Sequence, residues 1–221
     1  PLLKDKNPAL DPLAAYVPAD QHVVFFSTFE AMIRLSDEAD KQGTPLVQAA
    51  EPQSQDVNVM GRYQRQIGLR TTLVGRMLGP QVIRSVAFTG GDAYLRVGTD
   101  LAVIFEARDL ASLRTMLVGQ ITLNTAGEQG VKKESGEMLG VSYESWRTND
   151  RTVSSYLAAL GDAVVVANSP AQLRNIVETH QKKKPAIIGL DEYKFFRDRY
   201  KLGDADETAL LFLSDATIRR W

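Results

Sequence analysis

Four short apolar runs, each followed within a few residues by a side chain that caps helices, constrain the fold of this 221-residue chain more than any other feature. Each run has the length and composition of a buried β-strand. A strand followed directly by a capped helix is typical of folds in which helices pack on a sheet. The runs are His22–Phe26, Leu101–Phe105, Ala163–Ala167 and Ala209–Leu213.

The residues after these runs carry the signals of helix starts. Ser27 has a glutamate three positions later, which is the spacing of a capping box. Asp109 precedes leucines at helical spacing. Ser169 is followed by Pro170 at the first helical position and by a glutamine that completes another capping box. The fourth helix is predicted to start at Ser214 or at the aspartate after it.

Two tight turns indicate the direction of the strands. The turn Gly98–Asp100 follows a strand at Tyr94–Val97, and the turn Gly161–Asp162 follows a strand at Ser154–Leu160. Strands joined by tight turns are antiparallel, because parallel strands need a long crossover connection. We therefore predict an α+β fold with a mainly antiparallel, mixed-order sheet and helices packed on one face.

The stretches between these units are less regular. Asn58–Leu78 is predicted to be helical, although its glycines disfavour a helix. Val86–Phe88 and Leu139–Trp146 are predicted strands, and Asp191 is expected to cap a short helix. The glycine-rich, charged segment Asn124–Glu137 is predicted to be a mobile loop.

The pattern also predicts the domain organisation. Residues 1–17 contain several prolines and little periodicity, so they are expected to be an extended lead-in. Residues 18–207 are predicted to form a single α+β domain. Val23–Ser27 resembles Leu210–Ser214, and the last helix has no stop signal, so 208–221 is predicted to start a continuing or repeated module. The alternative is that short apolar strands resemble one another by chance.

The composition excludes several classes of site. The chain has no cysteine, so thiol nucleophiles, disulfides and cysteine-ligated metals are excluded. His22 and His180 are its two histidines, which excludes a histidine-rich metal site. Nucleic-acid-binding proteins concentrate positive charge, whereas this chain has 26 basic and 27 acidic residues. We therefore expect no nucleic-acid partner, and no apolar run is long enough for a membrane span.

The motifs of common catalytic and cofactor sites are missing from the sequence. The glycine patterns of dinucleotide-binding and P-loop proteins do not occur. Gly140–Glu144 lacks the second glycine of a nucleophile elbow. The acidic loop Gly203–Glu207, with Asp204 and Asp206, does not have the spacing of an EF-hand. We therefore predict no catalytic, cofactor-binding or metal-binding residues.

Aromatic residues near the carboxyl-terminal end are the candidate interface. Tyr193, Phe196 and Tyr200 are spaced along one short segment with charged residues between them, and Trp221 follows the last predicted strand. Such clusters anchor protein interfaces. The alternative is that these rings pack in the core.

The order of elements and several short motifs resemble a known family. Gly140–Tyr143 opens a strand, Ser169–Leu173 opens a helix, Tyr193–Phe196 has a Tyr-x-x-Phe pattern, and Leu210–Phe212 leads to a serine. Over roughly Val17–Trp221 this order resembles a bacterial family of domains of unknown function in exported or envelope-anchored proteins. The resemblance implies a secreted or membrane-tethered α+β module without known catalytic residues.

These observations favour a non-catalytic interaction or assembly module of a larger, extracytoplasmic bacterial protein. Its partner would be another protein or the remainder of its own chain. A cysteine-free chain of this size fits any compartment, so a cytoplasmic location stays open. Two alternatives remain: a hydrolytic enzyme whose site is completed by sequence beyond residue 221, and a carrier of a small ligand or lipid.

Overall fold

The computed structural model describes residues 7–38, 59–69, 73–91, 99–204 and 207–219. Eight strands in these residues form one sheet. The strands are β1 (His22–Phe26), β2 (Ile83–Gly90), β3 (Leu101–Ala107), β4 (Lys132–Met138), β5 (Val141–Arg147), β6 (Ser154–Leu160), β7 (Ala163–Ala167) and β8 (Leu210–Phe212). Their order is β4-β5-β6-β7-β3-β2-β1-β8, and every neighbouring pair is antiparallel. The α+β class and the antiparallel, mixed-order sheet are therefore confirmed.

Helices cover the sheet on both faces. They are α1 (29–38), α2 (Val59–Ile67), α3 (Leu73–Val82), α4 (Leu110–Thr125), α5 (Pro170–His180), α6 (Asp191–Arg199) and α7 (Asp215–Ile218), with 3₁₀ turns at Pro12–Ala15 and Ile187–Gly189. The first face packs against α5, α6 and both 3₁₀ turns. The second packs against α1, α2 and α4.

The prediction that helices pack on one face is therefore wrong, and β3 shows why. Ile104 lies in the core of the first face and Phe105 in the core of the second. β7 is buried along its whole length. A strand that is apolar at successive positions needs cover on both sides, so the composition of these central strands already contained the signal.

Three of the five predicted helix caps are confirmed. The prediction for Asp191 is wrong, because α6 begins at Asp191 itself and Leu190, which has no side-chain cap hydrogen bond, precedes it. Asp109 accepts a hydrogen bond from the backbone N–H of the third helical residue at 2.6 Å. Ser169 and Ser214 do the same at 3.0 and 3.1 Å. For α1 the cap is Thr28 rather than Ser27, because Thr28 Oγ1 accepts from the N–H of Ala31 at 3.1 Å.

The predicted lead-in belongs to the core as far as it is described. Pro12–Ala15 forms a 3₁₀ turn, and Leu13, Ala14 and Val17 are buried with the first-face core. The apolar side chains between the prolines supply this packing, which a reading based on proline content overlooked. Residues 7–17 are therefore not an extended linker.

The segment predicted as a mobile loop contains an ordered strand. α4 continues to Thr125, and Lys132–Met138 forms β4. β4 pairs with β5 along its whole length, from Lys132 opposite Arg147 to Met138 opposite Val141. The strand is defined by this pairing and not by an apolar pattern of its own.

The last strand joins the sheet of the preceding residues. β8 pairs with β1, with Val24 opposite Leu211. Among the described residues this apolar strand is covered on one side, because Phe212 is buried and Leu211 is exposed. The prediction that 208–221 begins a further module stays a prediction. Trp221 and the predicted strand Tyr94–Val97 lie outside the described residues.

Candidate interaction surface

The candidate interface residues on α6 and directly after it differ in burial. Tyr193 and Arg197 are one helical turn apart and both are buried. Phe196 and Tyr200 have the same spacing and are 40% and 53% exposed. Tyr193 is therefore a core residue, which corrects its assignment to an interface. Phe196 and Tyr200 remain on the surface.

A buried ionic cluster binds the inner side of α6. The Arg197 guanidinium donates from Nε and Nη2 to the two oxygens of Asp11 at 2.7 and 2.8 Å. It also donates to the Glu207 carboxylate. The Tyr193 hydroxyl donates to Asp11. One cation thus joins the start of the described chain, α6 and the loop before β8.

The protonation states in this cluster are fixed by its surroundings. Burial raises the pKa of the Tyr193 hydroxyl, and the neighbouring Asp11 carboxylate raises it further. Burial acts to lower the pKa of Arg197, but its hydrogen bonds to Asp11 and Glu207 outweigh that effect and leave the pKa raised. Tyr193 therefore stays neutral and Arg197 stays charged near neutral pH. These fixed protonation states are suited to stabilising the fold and not to proton transfer.

The outward side of α6 and the residue after it carry three exposed aromatic side chains, Phe195, Phe196 and Tyr200, here called the aromatic ridge. The rings of Phe195 and Phe196 are 5.9 Å apart between centroids and nearly perpendicular. Those of Phe196 and Tyr200 are 6.5 Å apart and nearly parallel. Phe196 also contacts the ring of Phe212 in β8, at 6.1 Å. The ridge is therefore continuous with the last strand.

Strand β8 forms one edge of the sheet in the described part of the chain. It pairs with β1 on one side. Leu211 is 60% exposed and lies opposite Val24, which borders the second-face core. Phe212 points to the first face, where it contacts Tyr193 and Phe196. Apolar side chains therefore approach solvent from both faces at this edge.

Strand β4 forms the opposite edge and is charged. Glu134 pairs with Arg147 of the neighbouring strand. Lys133 pairs with Glu144 at 2.7 Å, and its ammonium lies 5.0 Å from the centre of the Trp146 ring. The Arg147–Glu134 pair is exposed to solvent, whereas in the second pair Lys133 is exposed and Glu144 is largely covered.

The two histidines lie at opposite ends of the strands, as measured along the strand direction. His180 ends α5, stacks on Tyr16 with ring centroids 4.9 Å apart, and lies over Gly161 in the β6–β7 turn. His22 begins β1 opposite Gly90. β3 lies between these ends, because it begins opposite Gly90 and its far end lies opposite the start of β7. Its seven residues span about 20 Å, so the histidines do not converge on one site.

The acidic loop before β8 is used for ion pairing. Its Glu207 carboxylate accepts from Arg197, and Asp206 lies outside the described residues. Within the described ranges, no group of three or more histidine, aspartate or glutamate side chains is arranged to hold a metal ion. None of the described helices has the length and apolar character needed to cross a membrane.

Comparison of the chain with protein-family models, with curated protein sequences and with solved structures found no match.

Proposed function

We propose that this chain is a non-catalytic interaction or assembly module of a larger, extracytoplasmic bacterial protein. Its contact surface is the aromatic ridge together with the β8 edge. The observation that carries the proposal is the clustering of exposed apolar side chains on α6 and β8, directly above a buried ionic cluster. The partner is a protein surface.

The chemistry of the ridge supports protein contact. Aromatic side chains are enriched at interfaces, because one ring buries a large apolar area and loses few rotatable bonds. Phe196 and Tyr200 are already stacked on each other. Contiguous exposed apolar side chains on a protein surface are typical of interaction sites.

The buried ionic cluster beneath the aromatic ridge supports the same function. Arg197 and Tyr193 anchor the buried side of α6 through Asp11, so the exposed rings project from a fixed helix. A surface that is rigid before binding loses less conformational entropy in the complex. The ionic cluster therefore favours binding by holding the ridge in place.

The proposed location rests on the family resemblance. The segments that carry it are Gly140–Tyr143, Ser169–Leu173, Tyr193–Phe196 and Leu210–Phe212. They include the helix that bears the ridge and the strand beside it. Two of the four segments that carry the resemblance, Tyr193–Phe196 and Leu210–Phe212, thus lie in the proposed contact surface.

The proposal is tested by placing a photo-crosslinking amino acid at Tyr200 in the full-length protein in living cells. The matched control carries the same group at Leu123, which is 78% exposed on α4. We expect an adduct of defined mass from position 200, absent from position 123 and lost when Phe196→Ser is added. Equal labelling at both positions, or an adduct that survives Phe196→Ser, would contradict the proposal.

A further inference from the structure

We infer that the occupant of the β8 edge is a second copy of this chain, whose own β8 pairs antiparallel with it about a two-fold axis through Leu211. This inference deepens the proposed function and rests on it. It makes the assembly homotypic and joins the two sheets into one.

The sequence of β8 is that of an interior strand. β1 and β8 both lie in uninterrupted apolar runs that end in serine, Val23–Ser27 and Leu210–Ser214. β1 is paired on both sides, by β2 and β8. β8 has one neighbour among the described strands and leaves Leu211 exposed. Continuously apolar strands are characteristic of sheet interiors, so β8 is suited to a second neighbour.

The segment around β8 is self-complementary. Residues 208–214, Thr-Ala-Leu-Leu-Phe-Leu-Ser, carry no charge. Antiparallel pairing centred on Leu211 places that side chain opposite itself and places Leu210 opposite Phe212. Directly opposite residues point to the same face of a sheet, so apolar side chains meet on both faces. No pair of like charges arises within the paired segment.

The other exposed edge of the fold is a poor alternative partner. If β8 paired with β4 of another copy, the copies would join head to tail into a ring or an open filament. β4 would then bring Lys132, Lys133, Glu134 and Glu137 against an uncharged strand. Charged side chains on an edge strand oppose such pairing. Charge therefore favours β8 paired with β8.

The aromatic ridge lies where this pairing would extend the contact. Phe196 touches Phe212 on the first face. A two-fold axis perpendicular to the sheet keeps each face on the same side, so the ridges of both copies flank the paired strands on that face. The interface then combines main-chain hydrogen bonds with aromatic side chains, as in other complexes formed by strand addition.

The absence of cysteine from the chain makes the register directly testable. Directly opposite Cα atoms in antiparallel strands are about 4.5–5.5 Å apart, which is within reach of a disulfide. Leu211→Cys is therefore expected to form a covalent dimer. Thr208→Cys is the control on the same edge, because six residues would separate the two thiols by about 20 Å. Leu123→Cys is the control for random collision. The Leu211→Cys protein should crosslink at least about tenfold faster than either control.

Sedimentation of the purified, unmodified protein over a range of concentrations gives the second measurement. We expect a reversible dimer, whose dissociation constant rises at least about tenfold in Leu211→Lys, where two ammonium groups would face each other. Leu123→Lys should dimerise like the wild type. A protein that stays monomeric, or cysteines at 208 and 211 that crosslink equally, would overturn the homotypic pairing. The proposed function would still stand if Tyr200 then crosslinked a different protein, and would fail only if position 200 gave no specific adduct.

Discussion

The two edges of the sheet meet solvent in different ways. The β4 edge carries four charged side chains within seven residues, Lys132, Lys133, Glu134 and Glu137. The segment 208–214 at the β8 edge carries none. Charged edge strands resist pairing with other strands, whereas apolar ones invite it. The comparison teaches that, within the described residues, one sheet can have one edge whose charges oppose pairing and another that carries no charge.

The ion pairs near the two edges differ as well. Those at β4 are exposed, such as the pair of Arg147 and Glu134. Near β8 the charges are buried, and the Arg197 side chain is fully enclosed between Asp11 and Glu207. Exposed pairs contribute little to stability, whereas breaking a buried pair leaves an uncompensated charge. Breaking the buried ion pairs near β8 is therefore expected to cost more stability than breaking the exposed pair at β4.

The largest expected effect is the loss of the buried guanidinium. Arg197→Met leaves the Asp11 and Glu207 carboxylates buried without their cation, which should cost about 3–5 kcal/mol of unfolding free energy. Arg147→Met, the control at the β4 edge, should cost less than about 1 kcal/mol. Urea denaturation of both variants measures the difference. Similar losses would show that the two sets of ion pairs are equivalent.

The next effect concerns the Tyr193 hydroxyl. Tyr193→Phe removes a hydrogen bond to the Asp11 carboxylate and should cost about 2 kcal/mol. Because the folded state raises the pKa of Tyr193, its stabilising contribution is complete below the usual tyrosine pKa of about 10. It is lost as the pH rises above that value, since the unfolded chain then loses the proton first.

Denaturation at pH values from 8 to 11 tests this dependence. The wild type should lose more stability on the alkaline side than Tyr193→Phe. Leu123→Ser changes an exposed side chain that does not ionise, so it is the control and should keep the wild-type slope. Parallel slopes for the wild type and Tyr193→Phe would contradict a raised pKa at this position.

A smaller difference is expected between two helix caps. Ser169→Ala removes the cap of α5 and should cost about 1 kcal/mol. Ser214→Ala should cost more, about 1–2 kcal/mol, because the buried Ser214 hydroxyl also donates to the carbonyl of Ala19 at 2.7 Å. Thermal unfolding of both variants compares them. A melting temperature lower for Ser169→Ala than for Ser214→Ala would contradict the expected order.

The smallest effect is expected at the charged edge. Lys133→Met removes an exposed ammonium group that pairs with Glu144 and contacts Trp146, and should cost at most about 1 kcal/mol. It should leave the oligomeric state unchanged, because three charges remain on β4. Urea denaturation measures the loss of stability, and sedimentation beside Leu211→Lys measures the oligomeric state. If Lys133→Met abolished dimerisation, the contact would lie at the β4 edge and the proposed pairing through β8 would be contradicted.

Local patterns in the sequence were sufficient to predict the four strand-and-helix units. Each apolar run forms a strand, and a serine, threonine or aspartate caps the helix after it. β4 could not be predicted in this way, because Lys132–Met138 is polar at almost every position. An edge strand that is solvated on both faces has no apolar alternation, and pairing with β5 alone defines it.

The site was only partly predictable from the sequence. Tyr193 and Arg197 lie on the buried side of α6, while Phe196 of α6 and Tyr200 directly after it are exposed. Hydrophobicity alone would bury three aromatic rings before an arginine. The buried side is decided by Asp11 and Glu207, which reach Arg197 from other segments. Asp11 is 186 positions away, and no local pattern reports such a pairing.

The register of β1 has a consequence for how the chain is made. Val24 pairs with Leu211, so β1 receives its second neighbour only after nearly all of the described fold has been synthesised. At about 5–20 residues per second, a ribosome needs roughly ten to forty seconds to cover that interval. Throughout this time one side of an apolar strand stays without its partner. The nascent chain is therefore expected to engage holding chaperones through β1 and to release them when β8 emerges.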